Sequence, residues 1–328
     1  VGRLASSEPT YRRRRVTGRK NKETQQGDVT IFTFVTANLL NFDGKDPREA
    51  ARYGQLTTLL RRQKPDFLAV QELVSSGRDK NIEGPATRRN EASRALLSLA
   101  TALGMLCDTS FVPAVAISPT RHHTGLLWRP GIDVVPNSLM RYDSHIYGNS
   151  HGLVAAVFTV DGRKVRVGSA HLSHCDPGMS GGWKDAGLVM RAFNRNDGIP
   201  GIVGGDWQGI GADATYDPDP YAGKEWDQSH SYHYDRDGNV DRDAAIRLEH
   251  HGRFRDCARL LEAKWQATTG HHETDTNEPR RIDRVYVTHD VPADAVTNYR
   301  VVDPSEVGQC TDHCPVVVDF DESRLREC

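Results

Sequence analysis

Seven polar residues stand at the ends of apolar runs: Asn38, Glu72, His171, Asp206, Asp283, Asp312 and His313. Burying ionisable side chains is costly unless they are paired or hold a metal, so a set spread along the whole chain points to one shared site. Glu72, closing Val70-Gln71-Glu72, is a hard oxygen ligand of the sort magnesium or manganese prefers. Asn38 can add a neutral oxygen to the same ion or orient an anion, and Asp312 can complete the metal site. Taken singly, Glu72 reads first as a surface acid after a strand and Asn38 as a turn residue. Asp283 and His313 have the makings of an acid–histidine pair, in which the carboxylate fixes one imidazole tautomer and raises the basicity of the other nitrogen. In Gly204-Gly205-Asp206-Trp207-Gln208 the glycines let a phosphate or a metal-bound water approach the backbone, and Asp206 can align that water for attack. His171 can stabilise a developing phosphorane or protonate a leaving group.

The elements that must deliver these residues alternate between strand and helix. Ile31 to Thr36 reads as a buried strand that delivers Asn38. A helix is predicted over 47–62, with Pro47 in its first turn, before Pro65 and Asp66 break the pattern. The run 67–72 is a second strand ending in an acid, and a helix over 90–103 presents Leu96, Leu97, Leu99, Ala100 and Leu103 as its apolar face. Further strands are predicted over 111–116, 124–128, 153–160 and 165–170, with Asp161-Gly162 as the hairpin turn between the last two. A helix over 184–193, a strand over 201–205, a polar insert over about 213–251, and strands over 281–288 and 315–320 complete the series. Strands, helices and hairpins mixed in this way indicate an α/β sandwich rather than a purely parallel doubly wound sheet. There is no dinucleotide fingerprint or phosphate-loop lysine at a strand-to-helix turn.

The 328 residues, 37% hydrophobic and 26% charged, suffice for one large core. A formal net charge of -2 and a pI near 6.7 give no global attraction to polyanions, so any such site must be a local patch. Residues 1–27 carry Arg12 to Arg15, Arg19, Lys20 and Lys22 with few large aliphatics, and read as a disordered basic tail that binds phosphate non-specifically or serves as a solubilising extension. The remaining 28–328 read as one domain, and a monomer is expected. No apolar stretch reaches the roughly 18 residues of a membrane helix, and the N-terminus lacks the apolar core of a secretion signal. A cytoplasmic protein is the expectation, or a secreted one if Val1 is the trimmed end of a precursor. Six cysteines, Cys107, Cys175, Cys257, Cys310, Cys314 and Cys328, read as buried thiols; Cys310 and Cys314 lack the spacing of a zinc knuckle.

These motifs, in this order from about Ile31 to Phe320, resemble the endonuclease/exonuclease/phosphatase superfamily, whose relatives include deoxyribonuclease I, apurinic/apyrimidinic endonucleases, sphingomyelinases and inositol polyphosphate 5-phosphatases. The resemblance implies a four-layer α/β sandwich, two mixed sheets face to face with helices outside, and a site at one edge. It implies metal-site roles for Asn38, Glu72 and Asp312, with magnesium as the ion and manganese as an alternative. Asp206 then positions or deprotonates the attacking water, Asp283 orients His313, and His171 and His313 serve as phosphate-binding and acid/base histidines. Gln208 stands where the family usually has Asn, and its extra methylene threatens a tolerance of roughly 0.5 Å in a preorganised site. Thr311 replaces the usual Ser and keeps a hydroxyl.

The substrate is less legible. A metal-dependent phosphodiesterase acting on DNA or RNA is the leading expectation, and hydrolysis of a small or lipid phosphate ester the alternative. A silent binding protein on the same fold is a third reading, opposed by the retention of both metal acids, Asp206 and the Asp283/His313 pair. The segment Arg121 to Gly125 can offer a phosphate-facing cation, and Trp183 and Trp207 can stack bases or simply pack. Asp217, Asp219, Asp227, Asp235, Asp237, Asp241 and Asp243 in the insert should repel a phosphate backbone unless they bind cations. Asp235, Asp237, Gly238 and Asp241 have spacing reminiscent of a structural calcium loop, but His233 and Ala244 occupy ligand positions that such a loop gives to acids.

Overall fold

The computed structural model describes residues 30–74, 84–149, 151–174, 181–225, 227–235, 237–275 and 277–325. The basic segment expected over 1–27, together with Cys175 and Cys328, lies outside the described residues. Two mixed sheets carry the fold. The first has the spatial order Val296–Val301, Val316–Asp321, Ile31–Phe42, Phe67–Val74, His122–Trp128 and Val115–Ala116. The second has the order Arg255–Asp256, Asp283–Val287, Gly201–Asp206, Arg163–His171, Gly152–Val160 and Asp133–Val134, and Met140–Asp143 also pairs with Gly152–Val160.

Among the described residues each sheet has one parallel pair, Ile31–Phe42 with Phe67–Val74 and Arg163–His171 with Gly201–Asp206. A parallel pair needs a crossover, and the helices Ala50–Gln63 and Gly181–Phe193 lie within the two crossovers. Lys64, left-handed at φ 51°, closes the first helix ahead of Pro65. At the predicted hairpin, Val160 pairs with Arg163 across Asp161 (φ 48°) and Gly162 (φ 80°), two left-handed residues whose twist matches the flanking strands.

The sheets meet face to face over one core that includes Phe34, Val70, Phe158, Val167 and Val285. Gln71 Nε2 donates to Ser169 Oγ at 3.0 Å, and that hydroxyl donates to Val70 O at 3.1 Å, so polar groups buried between the sheets are satisfied. Ala50–Gln63 buries Leu56, Leu59 and Leu60, and Pro85–Leu103 buries Ala92, Ala95, Leu96, Leu99 and Ala100, both against the first sheet. Gly181–Phe193 buries Ala186, Val189, Ala192 and Phe193 with Leu153, Ala170 and Val203 of the second. Helix, sheet, sheet and helix give four layers, as the sequence indicated.

Local details depart from the sequence reading. Leu97 is exposed, because it follows Leu96 by about 100° around the helix and leaves the buried stripe. The strand predicted over 111–116 is broken into Val112–Pro113 and Val115–Ala116, with Phe111 left-handed and exposed at a turn. Gly204 and Gly205 serve sheet packing rather than ligand approach: a Cβ at Gly204 would lie 2.4 Å from Phe34 Cε1, and one at Gly205 would lie 2.1 Å from Ala170 O. The polar insert contains packed structure. Its helix Asp243–Ile246 runs into a π-helical turn, Arg247–His251, which buries Ala244, Ala245 and Leu248.

Two acids expected to repel polyanions, Asp217 and Asp241, are buried. Asp217 accepts from Arg281 at 2.8 and 2.6 Å. The carboxylate of Asp235 accepts from the backbone N–H of Asp237 and of Asn239, each at 2.9 Å, so it closes its own turn. Cys107, Cys257, Cys310 and Cys314 are free buried thiols, and burial pushes Cys314 up to about 12. Among the described residues no helix is long and apolar enough to cross a membrane.

Candidate active site

Register explains why residues far apart in sequence meet at one edge. His171 pairs with Asp206 across the parallel pair, and Asp206 pairs with Asp283 across the antiparallel neighbour, so three of the seven residues form one row. On the facing sheet Asn38 pairs with Gln71, next to Glu72. Thr36 pairs with Val316, which places the Thr311–His313 segment at the same end.

The strands carry local breaks at this edge. The register of Ile31–Phe42 shifts between Asn38 and Phe42, where Leu40 and Asn41 are left-handed. Its partner breaks between Val70 and Leu73, where Glu72 has φ 60°. Gln208 has φ 58°. Left-handed non-glycine residues cost of order 1–3 kcal/mol and concentrate where chemistry requires a fixed direction.

Asp206 is the hub. It is fully buried, and its Oδ2 accepts from Asn38 Nδ2 at 3.1 Å and Gln208 Nε2 at 2.8 Å, while Oδ1 accepts from the Gln208 backbone N–H at 3.0 Å. His171 Nε2 lies 3.5 Å and His313 Nε2 3.9 Å from Oδ2. Burial pushes the Asp206 carboxyl up to about 7; Asp283 adds to the rise, and His313, Gln208 and Asn38 oppose it.

The two histidines are driven apart. Burial, reinforced by the imidazoles of His151, His122, His313 and His174, holds His171 well below its ordinary value, so it is neutral. Burial also opposes charge on His313, but Asp283, Asp206 and Asp312 outweigh it and hold that imidazole well above its ordinary value. Asp283 Oδ2 lies 2.8 Å from His313 Nδ1, and the Asp283 backbone N–H donates to Thr268 Oγ1 at 3.1 Å. Thr311 Oγ1 donates to Asn38 O at 2.7 Å, tying the His313 segment to the first sheet.

Six of the eight expected residues, Asn38, His171, Asp206, Gln208, Asp283 and His313, thus form one cluster, in which the hydrogen-bonded Asp283–His313 pair meets the hydrogen-bonded group around Asp206 across 3.9 Å. Glu72 borders it: half-buried, its Oε2 accepts from Asn41 N at 3.1 Å, and Asn41 Oδ1 meets His122 Nε2 at 3.0 Å. Asp312 acts on His313 through its charge. Asn38 Oδ1 accepts from Leu40 N at 3.1 Å, so the amide faces Asp206 with its nitrogen.

The residues present suit a hard divalent cation. Among the described residues Asp312 Oδ1 and Asp283 Oδ1 are buried carboxylate oxygens with no hydrogen-bond partner, hard anionic donors of the kind a divalent cation takes. Among the described residues Asp206, Asp283 and His313 are the group whose ligand atoms lie within 4.8 Å of one another.

Other expectations shift. Trp207 is 1% exposed and donates to Arg284 O, so it is not available to stack a base. Trp183 carries the Arg247 guanidinium 5.0 Å from its ring. In the Arg121 to Gly125 segment, His123 is buried and accepts from Ser118 N at 3.0 Å, and burial pushes it down to about 3. It is a neutral core residue, whereas His122 faces Asn41. Sequence reasoning missed Asp185, which accepts from Ser173 N at 3.0 Å and Ser173 Oγ at 2.7 Å and so braces the turn after His171. It also missed His151, whose ring stacks on His171 at 3.9 Å. A buried acid one turn into an amphipathic helix was a usable signal for Asp185. A single histidine in a polar loop offered none.

No protein-family model matches the chain, and no curated protein sequence does. Solved structures do. TDP2 of D. rerio, complexed with a single-strand DNA product, superposes with TM-score 0.54 at 16% identity, covering 89% of this chain and 99% of that one. An endonuclease/exonuclease/phosphatase of Bacteroides vulgatus superposes with TM-score 0.54 at 14% identity, covering 89% and 98%. A mannosyl-6-phosphatase of Bacteroides thetaiotaomicron gives TM-score 0.51 at 16% identity, covering 88% and 98%.

Proposed function

We propose that this chain, which has the endonuclease/exonuclease/phosphatase fold, is a divalent-metal-dependent phosphoester hydrolase and, within that class, a phosphodiesterase acting on DNA or RNA. The observation that carries the reading is the convergence on buried Asp206 of Asn38, Gln208, His171 and the His313 that Asp283 anchors; burial holds His171 low and Asp283 holds His313 high. Titratable neighbours pushed in opposite directions are what acid–base chemistry near neutral pH requires. The likeness to TDP2 supports the nucleic-acid reading, and the likeness to a mannosyl-6-phosphatase keeps a small phosphate ester as the alternative.

In this mechanism Glu72 and Asp312 would hold the ion, with Asn38 beside them, while the neighbouring Asp206, Asp283 and His313, the last two already in contact at 2.8 Å, handle protons. Magnesium or manganese would neutralise charge on a non-bridging phosphoryl oxygen when bound. Asp206, with a carboxyl near 7, takes a proton from the attacking water as its oxygen bonds to phosphorus. Asn38 and Gln208 fix the direction of that carboxylate. His313, anchored through Nδ1, gives its Nε2 proton to the oxygen that leaves as the P–O bond breaks. Neutral His171 binds the phosphoryl group without adding a second cation beside His313. Solvent carries the proton of Asp206 back to His313, whose Nε2 is 3.9 Å away.

The test is turnover of plasmid DNA, single-stranded RNA, bis(p-nitrophenyl) phosphate, sphingomyelin and a sugar phosphate, with magnesium, manganese or chelator. Hydrolysis of diesters that chelator abolishes is expected, with loss in Glu72→Gln and His313→Ala. Activity confined to the sugar phosphate selects the alternative, and full metal-dependent turnover in either variant contradicts the assigned site.

A further inference from the structure

We infer that His151 is a positioning residue: its ring, stacked on His171 and anchored to the backbone beyond it, holds the His171 imidazole in the plane that faces Asp206. The inference rests on the hydrolase reading for its kinetic arm and on geometry alone for its structural arm.

His171 is poorly restrained by its own bonds. Its Nε2 faces Gln208 Nε2 at 3.3 Å and Asp206 Oδ2 at 3.5 Å, and its buried Nδ1 has no hydrogen-bond partner among the described residues. An imidazole held at one nitrogen can rock about its Cβ–Cγ bond, which swings the other end of the ring. The residue opposite His171 in the sheet is Gly152, which has no side chain to limit that motion. A Cβ there would lie 3.1 Å from Ala116 Cβ and 3.2 Å from Thr124 Oγ1, so the position is kept empty by packing with the other sheet.

His151, the next residue, supplies the restraint. Its ring centroid is 3.9 Å from that of His171, with 16° between the planes, and it is 3% exposed. Its Nδ1 lies 2.9 Å from Leu172 O, so the stacking ring is pinned to the residue that follows the one it supports. On its other sides stand His122 at 5.9 Å and His174 at 6.1 Å. Burial pushes His151 down to about 4, so two neutral rings stack and no like-charge repulsion opposes the arrangement.

Two substitutions separate stacking from hydrogen bonding. His151→Asn keeps an N–H for Leu172 O and removes the ring, whereas His151→Phe keeps a ring and removes the N–H. Misplacing a reacting group by about 1 Å costs up to about 100-fold, so His151→Asn and His151→Ala should lower kcat on bis(p-nitrophenyl) phosphate by about 10- to 100-fold with KM little changed. His151→Phe should recover most of that loss. Nitrogen-15 NMR of the chelated, metal-free full chain reads the His171 ring directly: the Phe variant should keep the wild-type ring shifts, and the Asn variant should lose them. Wild-type kcat in the Asn variant, or unchanged His171 shifts in it, overturns the inference. A Phe variant as slow as Ala overturns the role of the ring as well and assigns the effect to the Nδ1 contact with Leu172 O. If wild-type protein hydrolyses no ester, the proposed function fails and the NMR comparison alone decides the role of His151.

Discussion

Replacing Asp283 by Asn preserves shape and removes one charge from the site. In the wild type, Asp283 Oδ2 and His313 Nδ1 are 2.8 Å apart, with Asp283 1% and His313 8% exposed. A hydrogen bond to a charged group contributes about 1.5–3 kcal/mol. At about 1.4 kcal/mol per decade this is roughly 10- to 150-fold in kcat/KM, and exclusion of water places the expected loss in the upper half. The pH dependence carries a sign. Burial opposes charge on His313, and Asp283 is the largest of the groups that raise it, so Asp283→Asn should move the alkaline limb of kcat to lower pH. Stability follows the same linkage. A histidine raised in the folded state contributes stability that is fully present below its ordinary value of about 6.5 and lost as pH rises through the folded value. The difference in urea midpoint between wild type and variant, measured in chelator, should therefore be largest near pH 6 and close in alkaline solution. Steady-state hydrolysis of bis(p-nitrophenyl) phosphate across pH 5.5–9 is the assay. A kcat/KM within twofold of wild type, or an alkaline limb that does not move, would refute the assignment of Asp283 as the group that charges His313.

Two further substitutions probe the support of the site. Gln208→Asn shortens the amide that spans Asp206 at 2.8 Å and His171 at 3.3 Å, so only one of these contacts can survive. Losing one neutral hydrogen bond of about 0.5–1.5 kcal/mol predicts a roughly 2- to 13-fold fall in kcat/KM. Thermal stability should hold or rise, because Asn adopts the left-handed backbone of position 208 more readily than Gln; an Asn variant as fast as wild type would remove the case for Gln208 as a bridge. Asp217→Ala leaves the Arg281 guanidinium, 1% exposed, with Asp256 as its remaining carboxylate, and should cost about 3–5 kcal/mol in urea unfolding at constant m-value. Burial opposes the Asp217 charge, but Arg281 and Arg284 hold its carboxyl below the ordinary value, so its contribution is present above about pH 3.9 and lost as pH falls through the folded value. A midpoint difference that had already vanished at pH 5 would contradict that pairing.

The residues that meet at the candidate site were legible because of what a strand end means physically. A carboxylate or imidazole at either end of an apolar run sits at the rim of its sheet, and register then decides whether several such ends coincide. Here His171, Asp206 and Asp283 coincide in one row across three neighbouring strands. The residues that hold them were not legible, since their partners are fixed by tertiary packing. Asp217 and Arg281 are separated by 64 positions, and nothing in the polar run around Asp217 signals that Arg281 lies beneath it. Gly204 looked like an opening for a ligand, and only the approach of Phe34 from the other sheet makes it a packing position. The strand Val296–Val301 is hidden for a related reason: its adjacent Thr297 and Asn298 are both exposed at a register shift, which breaks the period-two pattern, and the strand owes its place to pairing with Val316–Asp321. The division has a consequence for the site. Candidate reacting groups announce themselves through the cost of burial, whereas a group that orients them, such as His151, is cheap to bury once paired and leaves little trace in sequence. Differences in rate among chains with the same reacting set should therefore map to the second kind of residue, and Gln208, which both reaches Asp206 and bridges to His171, is the position where the two kinds meet.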